Sequence, residues 1–402
     1  MTRIAAGSTR PDAPDPGPTE SRFGLVPMRP RDPDEPHRSA SPLELFFDLV
    51  FVVSIAIASS NLHHFESEGH IVDGVGPYLM IFFAIWWAWM NHTWFATSFD
   101  TDDWLYRIAT ILQMGGALLV AAGAEAAMVE GDFGLTIIGY IVMRLVMVGQ
   151  WLRASAGSVA HRARALRHAA GITVVQALWV VWWLAVPEGA RVSGFVVLVL
   201  AELAVPVWAA RSTATPSHPH HITERYGLFT IILLGESVLA SSNAIIDALH
   251  HSEQIGALVT IAVTGLALAA GMWWVYFSRS QHDRLATRLG SISFAYVHYV
   301  IFAAAGAFSA GIEVAIDYDT HRTDLDGIVA AATTTVPVSL FVLGIWLLAL
   351  RGGLPRWANI AVPLLAIAIG FAALAPFSLV VAAVVMIGIV VVLETTRPAV
   401  RR

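Results

Sequence analysis

Two carboxylates lie four residues apart in an apolar stretch of the chain. Glu44 and Asp48 interrupt a mostly apolar run that extends from Ser41 to Ile57. Positions i and i+4 are neighbours on one face of a helix, so the two acids would lie side by side. A bare charge in membrane hydrocarbon costs roughly 2.5–3.5 kcal/mol at the helix centre on insertion scales. We therefore expect both acids to bind a proton, a cation or an arginine, and we interpret them as candidate substrate- or proton-binding residues.

A local interpretation is also open for Glu44. Ser41 is a favoured N-cap residue, Pro42 suits the first helical turn, and an acid near a helix start stabilises the helix dipole. Asp48 lies about 9 Å along the helix from Pro42. It is therefore too far from the first turn to be explained by helix capping or by the helix dipole. The pair therefore remains a candidate site, with Asp48 as its stronger member.

Three further charges fall near the middle of predicted helices. Arg144 and Glu202 each lie ~15 Å from a helix end, and Glu236 lies ~21 Å from one. Because an arginine keeps its proton, Arg144 needs an acid or water at that depth. We predict that Arg144 pairs with Glu236, Glu202 or both as part of a substrate- or proton-binding site, and that Glu236 is the favoured partner because Gly235 allows close approach of another helix. The alternative is a fixed ion pair that only holds helices together.

The composition indicates helices that can carry such charges across a membrane. Of the 402 residues, 56% are hydrophobic and 13% are charged, whereas soluble domains have roughly 25% charged residues. Apolar stretches of about twenty residues recur along the chain. We therefore predict an all-α polytopic membrane helix bundle with about twelve transmembrane helices. The predicted helices are 42–62, 77–98, 104–128, 134–152, 168–186, 192–210, 222–249, 255–279, 289–316, 327–350, 356–373 and 375–394.

Several functional classes lack support in the sequence. There is no cysteine, which excludes disulfides, thiol catalysis and cysteine-based metal centres. No Walker A loop, dinucleotide fingerprint, Gly-x-Ser-x-Gly or metalloprotease helix is present. The histidine clusters at 63–64, 218–221 and 250–251 lack the pattern of a metal site, and no basic aromatic surface indicates nucleic acid. We predict no cofactor and do not favour an enzyme.

Arginine placement predicts an orientation. If the helices alternate and the N-terminus is cytoplasmic, all but three of the 24 arginines fall in cytoplasmic segments, the exceptions being Arg144, Arg191 and Arg322. This bias follows the positive-inside rule and places both termini in the cytoplasm of a bacterial inner membrane. Residues 1–40 are rich in Pro, Asp and Arg, and we predict a disordered cytoplasmic tail there.

The chain also shows signs of an internal duplication. Glu44 and Glu224 open corresponding helices, the pair Trp86–Trp87 has a counterpart at Trp273–Trp274, and Glu125 and Glu313 end corresponding helices. We predict two parallel six-helix halves, 41–211 and 212–402, an arrangement found in transporters that bind substrate between the halves. The alternative is chance recurrence. The duplication makes Glu125 and Glu313 supporting site candidates and predicts that Glu44 and Asp48 face Glu224 and Arg225 inside the bundle.

Five motifs together resemble one bacterial family. They are ELFFDLVFV from Glu44, FDTDD from Phe99, HITERYGLFTIILLGES from His221, WWVYF from Trp273 and AGAFSAGIE from Ala305. These motifs, which cover residues 41–316, resemble the bacterial low temperature requirement protein A family. The resemblance implies a multi-pass inner-membrane protein named for growth in the cold. It implies neither a known reaction nor an established substrate.

The paired acids, the mid-membrane arginine and the duplication favour a secondary transporter or proton-linked permease of unknown substrate. Its expected partners are membrane lipids and a proton or a small molecule. One alternative is a non-transporting membrane protein that supports cold tolerance through lipid or partner binding. Another is an intramembrane enzyme that acts on lipid with the carboxylates as acid and base. The sequence leaves the oligomeric state open.

Overall fold

The computed structural model describes residues 24–32, 35, 38–211, 218–250, 255–282, 285 and 287–397. The described residues form helices and connecting segments without a strand, so the predicted all-α fold is confirmed. Eleven helices are long and apolar enough to cross a membrane, and a further helix, Pro219–His250, has 32 residues. The helices are α1 (Pro42–Ser67), α2 (Ile71–Phe99), α3 (Trp104–Ala122), α4 (Ala124–Val129), α5 (Gly134–Gly157), α6 (Arg162–Ala185), α7 (Arg191–Ala209), α8 (Pro219–His250), α9 (Ile255–Phe277), α10 (Arg288–Asp319), α11 (Gly327–Ile345), α12 (Arg356–Phe371) and α13 (Ser378–Thr395).

Local signals set several helix ends. Ser41 and Glu44 form a capping box at the start of α1, and the side chain of Asp103 caps α3. The predicted helix 104–128 is divided at Gly123 into α3 and the short α4. A Cβ atom at Gly123 would lie 2.7 Å from the Thr136 amide nitrogen, so the chain bends where α5 packs closely against it. The last two predicted helices are confirmed as the separate helices α12 and α13.

The loops define two faces of the bundle. We call the face at which α1 begins the proximal face and the face at which α1 ends the distal face. Contacts across each face join loops that are far apart in sequence: the Arg153 guanidinium donates to Asp103 at the proximal face, and the Ser67 hydroxyl donates to Asp317, 2.9 Å away, at the distal face. The helices therefore alternate in direction along the chain.

The N-terminal segment packs against the proximal face from residue 24 onward. Met28 is buried, the Val26 amide donates to Asp103, and Arg38 donates to the carbonyls of Ala96 and Thr97. The described part of residues 1–40 thus packs against the bundle and is not disordered as predicted, because carbonyl oxygens in the last turn of α2 accept hydrogen bonds from Arg38. Residues 1–23 lie outside the described residues.

The two predicted halves share most of their helix neighbours, although α9 packs on α13 and no matching contact of α2 with α7 is as extensive. In the first half α1 packs on α2 and α3, α3 on α5, α5 on α6, and α6 on α7; in the second half the same order holds for α8 to α13. The tryptophan pairs do not correspond in environment, since Trp86 and Trp87 are buried whereas Trp273 and Trp274 are exposed. The parallel duplication therefore stays a prediction that the shared packing order supports. Between the halves, α1 packs on α8 and α10.

The crossing of α3 and α5 generates a first prediction. A Cβ atom at Gly139 would lie 2.5 Å from the Gly116 carbonyl oxygen, whereas one at Gly149, in the same helix, would have nothing within 4 Å. We expect Gly139→Ala to lower the free energy of unfolding by about 1–3 kcal/mol, because the helices must separate. Gly149→Ala should be neutral or stabilising by up to ~1 kcal/mol. Unfolding of the two purified variants in detergent measures the difference, and equal stabilities would contradict this packing.

Candidate functional site

Glu44 and Asp48 meet Arg225 in the proximal third of the bundle. The Arg225 guanidinium donates two hydrogen bonds to Asp48, with Nε–Oδ2 3.0 Å and Nη2–Oδ1 2.6 Å. Its Nη1 lies 2.8 Å from Oε1 of Glu44. Both Asp48 and Arg225 are 0% exposed, and Glu44 is 2% exposed. The predicted direction of the two acids is thus confirmed, and the ion pair joins α1 to α8.

Helical spacing on both helices builds this contact. Glu44 and Asp48 are i and i+4 on α1, and His221 and Arg225 are i and i+4 on α8, so each helix presents two side chains on one face. Glu224, the other residue predicted to be near the acids, is exposed and turned away. His221 was assigned no role at this site, although its spacing from Arg225 was the signal that could have identified it.

Glu44 also contacts His221, a residue that can gain or lose a proton. Its Nε2 atom lies 3.3 Å from Oε2 of Glu44, and its Nδ1 atom lies 3.0 Å from the Thr97 hydroxyl. The Ser41 amide also donates to Oε2 of Glu44, at 2.8 Å. Because Arg225 supplies only one positive charge for two carboxylates, a neutral His221 leaves the buried cluster with a net charge of −1. One proton on Glu44 or His221 removes that charge.

An aromatic residue fixes the orientation of Asp48. The Trp89 indole Nε1 donates to Oδ1 of Asp48 at 2.7 Å, and its ring packs against Phe229 with centroids 4.2 Å apart. Trp89 is on α2 and Phe229 is on α8, so three helices hold the carboxylate. Asp48 therefore accepts three hydrogen bonds, and hydrogen bonds that involve a charged group are among the strong ones.

Polar groups continue from Glu44 toward the proximal surface. The His221 backbone amide donates to Nδ1 of His218, and Nε2 of His218 lies 2.9 Å from the Glu35 carbonyl oxygen. Asp100, at the end of α2, is largely buried; this burial and the negative charge of Glu44 raise the pKa of its carboxyl group. Titratable groups are therefore closely spaced between Glu44 and the proximal face.

Arg144 pairs with Glu202, so the predicted preference for Glu236 is wrong. The Arg144 guanidinium donates to Oε2 of Glu202, and both side chains are buried. Glu236 is half-buried and makes no ion pair with Arg144 in the described structure. Similar depth does not bring two side chains together: Glu202 is on α7, which packs on α6 beside α5, whereas Glu236 is on α8, which packs on α1, α2, α9 and α10.

Aromatic donors complete the binding of Glu202. Its oxygens accept hydrogen bonds from the Tyr140 hydroxyl at 2.8 Å, Trp87 Nε1 at 2.9 Å and Trp179 Nε1 at 3.3 Å. With Arg144 this makes four donors from α2, α5 and α6 around one carboxylate of α7. The charges balance one to one, which is the arrangement expected of a fixed ion pair.

The two supporting candidates lie toward the distal face and do not join either cluster. Glu125 is exposed on α4, which follows the end of α3, and its role as a site residue stays a prediction. Glu313 is partly buried on α10, with Oε2 3.2 Å from Nδ1 of His63. Nε2 of His63 lies 2.7 Å from Oδ2 of Asp317. This distal cluster is separate from Asp48, which lies 15 residues before His63 on α1, ~22 Å along the helix.

Metal binding has no geometric support in the described ranges. Among those residues, no group of three or more His, Asp or Glu side chains could hold an ion. The histidine pair at 250–251 lies outside the described side chains.

Apolar helices of membrane-spanning length, joined by buried charge pairs, define a multi-pass helical membrane protein. Within that class the sequence can be placed further. Residues 39–393 match the bacterial low temperature requirement A protein family, and the chain belongs to that family. An uncharacterized protein of Rhizobium meliloti is 28% identical over 254 residues, which cover 60% of this chain and 59% of that protein.

The charge imbalance at Arg225 generates a second prediction. Arg225→Gln leaves two buried carboxylates without a counter-charge and should lower the free energy of unfolding by about 3–5 kcal/mol. Adding Asp48→Asn should restore part of the lost free energy of unfolding, because one uncompensated charge is removed. Chemical unfolding of the single and double variants in detergent measures the coupling.

The matched control for the Arg225 and Asp48 variants is Arg107→Gln. Arg107 is paired with Asp102, but both side chains are more than half exposed, at 58% and 60%. We expect this change to leave the free energy of unfolding nearly unchanged, because solvent screens an exposed ion pair. A double variant no more stable than Arg225→Gln alone would show that Asp48 and Arg225 are not energetically coupled.

Proposed function

We propose that the protein is a proton-linked secondary transporter of the bacterial cytoplasmic membrane. The proposed orientation places both termini in the cytoplasm, which makes the proximal face cytoplasmic. The arginine distribution supports this orientation, since only Arg144, Arg191 and Arg322 fall outside cytoplasmic segments in that arrangement. The proton-binding site is the cluster of Glu44, Asp48, His221 and Arg225.

One observation carries the proposal: two buried carboxylates share a single arginine at the contact between the two halves. A cluster that served only to hold helices together would be stable with balanced charges, as at Arg144 and Glu202. The excess carboxylate instead favours binding of a proton, because an uncompensated charge is costly away from water. Asp48 is held by three donors, so Glu44 with His221 is the member that accepts the proton.

Proton binding at Glu44 would alter the attraction between the halves. When Glu44 is charged, Arg225 of α8 attracts both carboxylates of α1. When Glu44 is protonated, Arg225 keeps its two hydrogen bonds to Asp48 and loses the ionic attraction to Glu44. The protonation state of one carboxyl group therefore changes the contact between α1 and α8, which is the link a transporter needs between proton binding and movement of its halves.

The third prediction concerns this proton. Infrared difference spectra of the purified protein, recorded while the pH is lowered, should contain the band of a carboxyl group that becomes protonated. We expect this band to be absent in Glu44→Gln, which removes the titratable group and keeps similar size and hydrogen bonding. The matched control is Glu224→Gln, an exposed acid in the first turns of α8 that should leave the band unchanged.

Transport is tested with the same variants in proteoliposomes that contain a pH-sensitive dye. Addition of pooled small molecules from a bacterial extract should produce a proton flux in the wild type and in Glu224→Gln, and none in Glu44→Gln. Equal flux in Glu44→Gln and the wild type, or a carboxyl band retained in Glu44→Gln, would contradict the proposal. The cluster would then be a structural clamp between α1 and α8.

A further inference from the structure

A cavity on the distal face lies between the start of α5 and the connection from α6 to α7. It has a volume of about 250 Å³ and is lined by residues from three segments. We call it the distal vestibule and define it by its lining residues, Glu130, Gly131, Asp132, Phe133, Trp182, Trp183 and Arg191. It is far from the proton site along the helices and does not include any residue of that site.

We propose that the distal vestibule binds a small organic cation, such as a quaternary ammonium group. Three of its seven lining residues are aromatic, and two are acids. Aromatic rings attract cations through the negative charge of their faces, and this attraction is the usual basis for recognition of quaternary ammonium groups. The inference does not depend on the proposed proton coupling.

The charges of the vestibule favour a cation over an anion. Glu130 and Asp132 provide two negative charges, and Arg191 provides one positive charge. The Arg191 guanidinium is also engaged, because its Nη1 donates to the Gly131 carbonyl oxygen at 2.9 Å. A net charge of −1 beside aromatic rings attracts cations, and the rings favour an organic cation over a metal ion, which needs several oxygen or nitrogen ligands.

The walls of the vestibule are fixed by local contacts. Trp182 Nε1 donates to the Arg191 carbonyl oxygen at 2.9 Å, and the Trp182 and Phe133 rings meet edge to face with centroids 5.3 Å apart. Asp132 accepts a hydrogen bond of 2.8 Å from the Gly134 amide. A preformed wall of this kind reduces the entropy lost when a ligand binds.

A second, smaller cavity lies next to the vestibule. This chamber, of about 20 Å³, shares Phe133 and Trp182 with the vestibule and continues inward to Tyr140 and Trp179. Its volume is enough for about one water molecule, and the Thr136 hydroxyl on its wall has no partner in the protein. The second cavity is too small for an organic cation, so we assign the cation to the vestibule alone.

Titration calorimetry with tetramethylammonium and choline tests this fourth prediction. The full chain is used in an uncharged sugar detergent, because phosphatidylcholine headgroups carry the same cation and would compete. We expect saturable binding of both cations and much weaker binding of 3,3-dimethylbutan-1-ol, the neutral analogue of choline. Glu130→Gln combined with Asp132→Asn should weaken cation binding about fivefold or more, and Trp183→Leu should weaken it by a similar factor.

Glu188→Gln is the matched control, since Glu188 is an exposed acid on the same face that does not line the vestibule. It should bind both cations as the wild type does. Asp132→Asn keeps the acceptor for the Gly134 amide, and Trp183→Leu tests the site independently if the charge variants fail to fold. Absence of saturable binding, equal binding of the neutral analogue, or an equal loss in Glu188→Gln would each overturn the inference.

Discussion

The pairing of Arg225 with Asp48 and Glu44 is the contact on which the arrangement of this bundle depends. A guanidinium and two carboxylates that are almost fully buried must find one another, because none of them can be left bare away from water. The contact fixes the rotation of α1 and α8 about their own axes and brings together the first helices of the two predicted halves. Trp89 adds α2 to the same point.

The protein contains two buried charge clusters of different character. Arg144 and Glu202 are balanced, and all donors around Glu202 come from the first half of the chain. Arg225 faces two carboxylates with one positive charge, across the boundary between the two predicted halves. A balanced pair has no charge that a proton would remove, whereas in the proposed function the unbalanced cluster accepts one. This difference, rather than the presence of charges in membrane helices, is what makes the Arg225 cluster the better candidate for function.

Aromatic side chains act as partners to charge in this protein. Trp87, Trp89 and Trp179 each donate an indole N–H to a buried carboxylate, which gives two of the four tryptophans of α2 a role in binding charge. At the distal face the same residue type lines a cavity beside two acids. Tryptophan is suited to both places because its large apolar ring packs among helices while its N–H or its ring face contacts charge.

The sequence by itself determined the helices and the direction in which Glu44 and Asp48 point. Apolar length, caps such as Ser41 and Asp103, and the i, i+4 rule are short-range properties that can be read from a single chain. The tertiary structure alone decided that Arg144 pairs with Glu202 and not Glu236, that His221 joins Glu44, and that Gly123 divides a helix. These features depend on which helices become neighbours. Depth along a helix does not contain that information, because residues at equal depth meet only when packing brings their helices into contact.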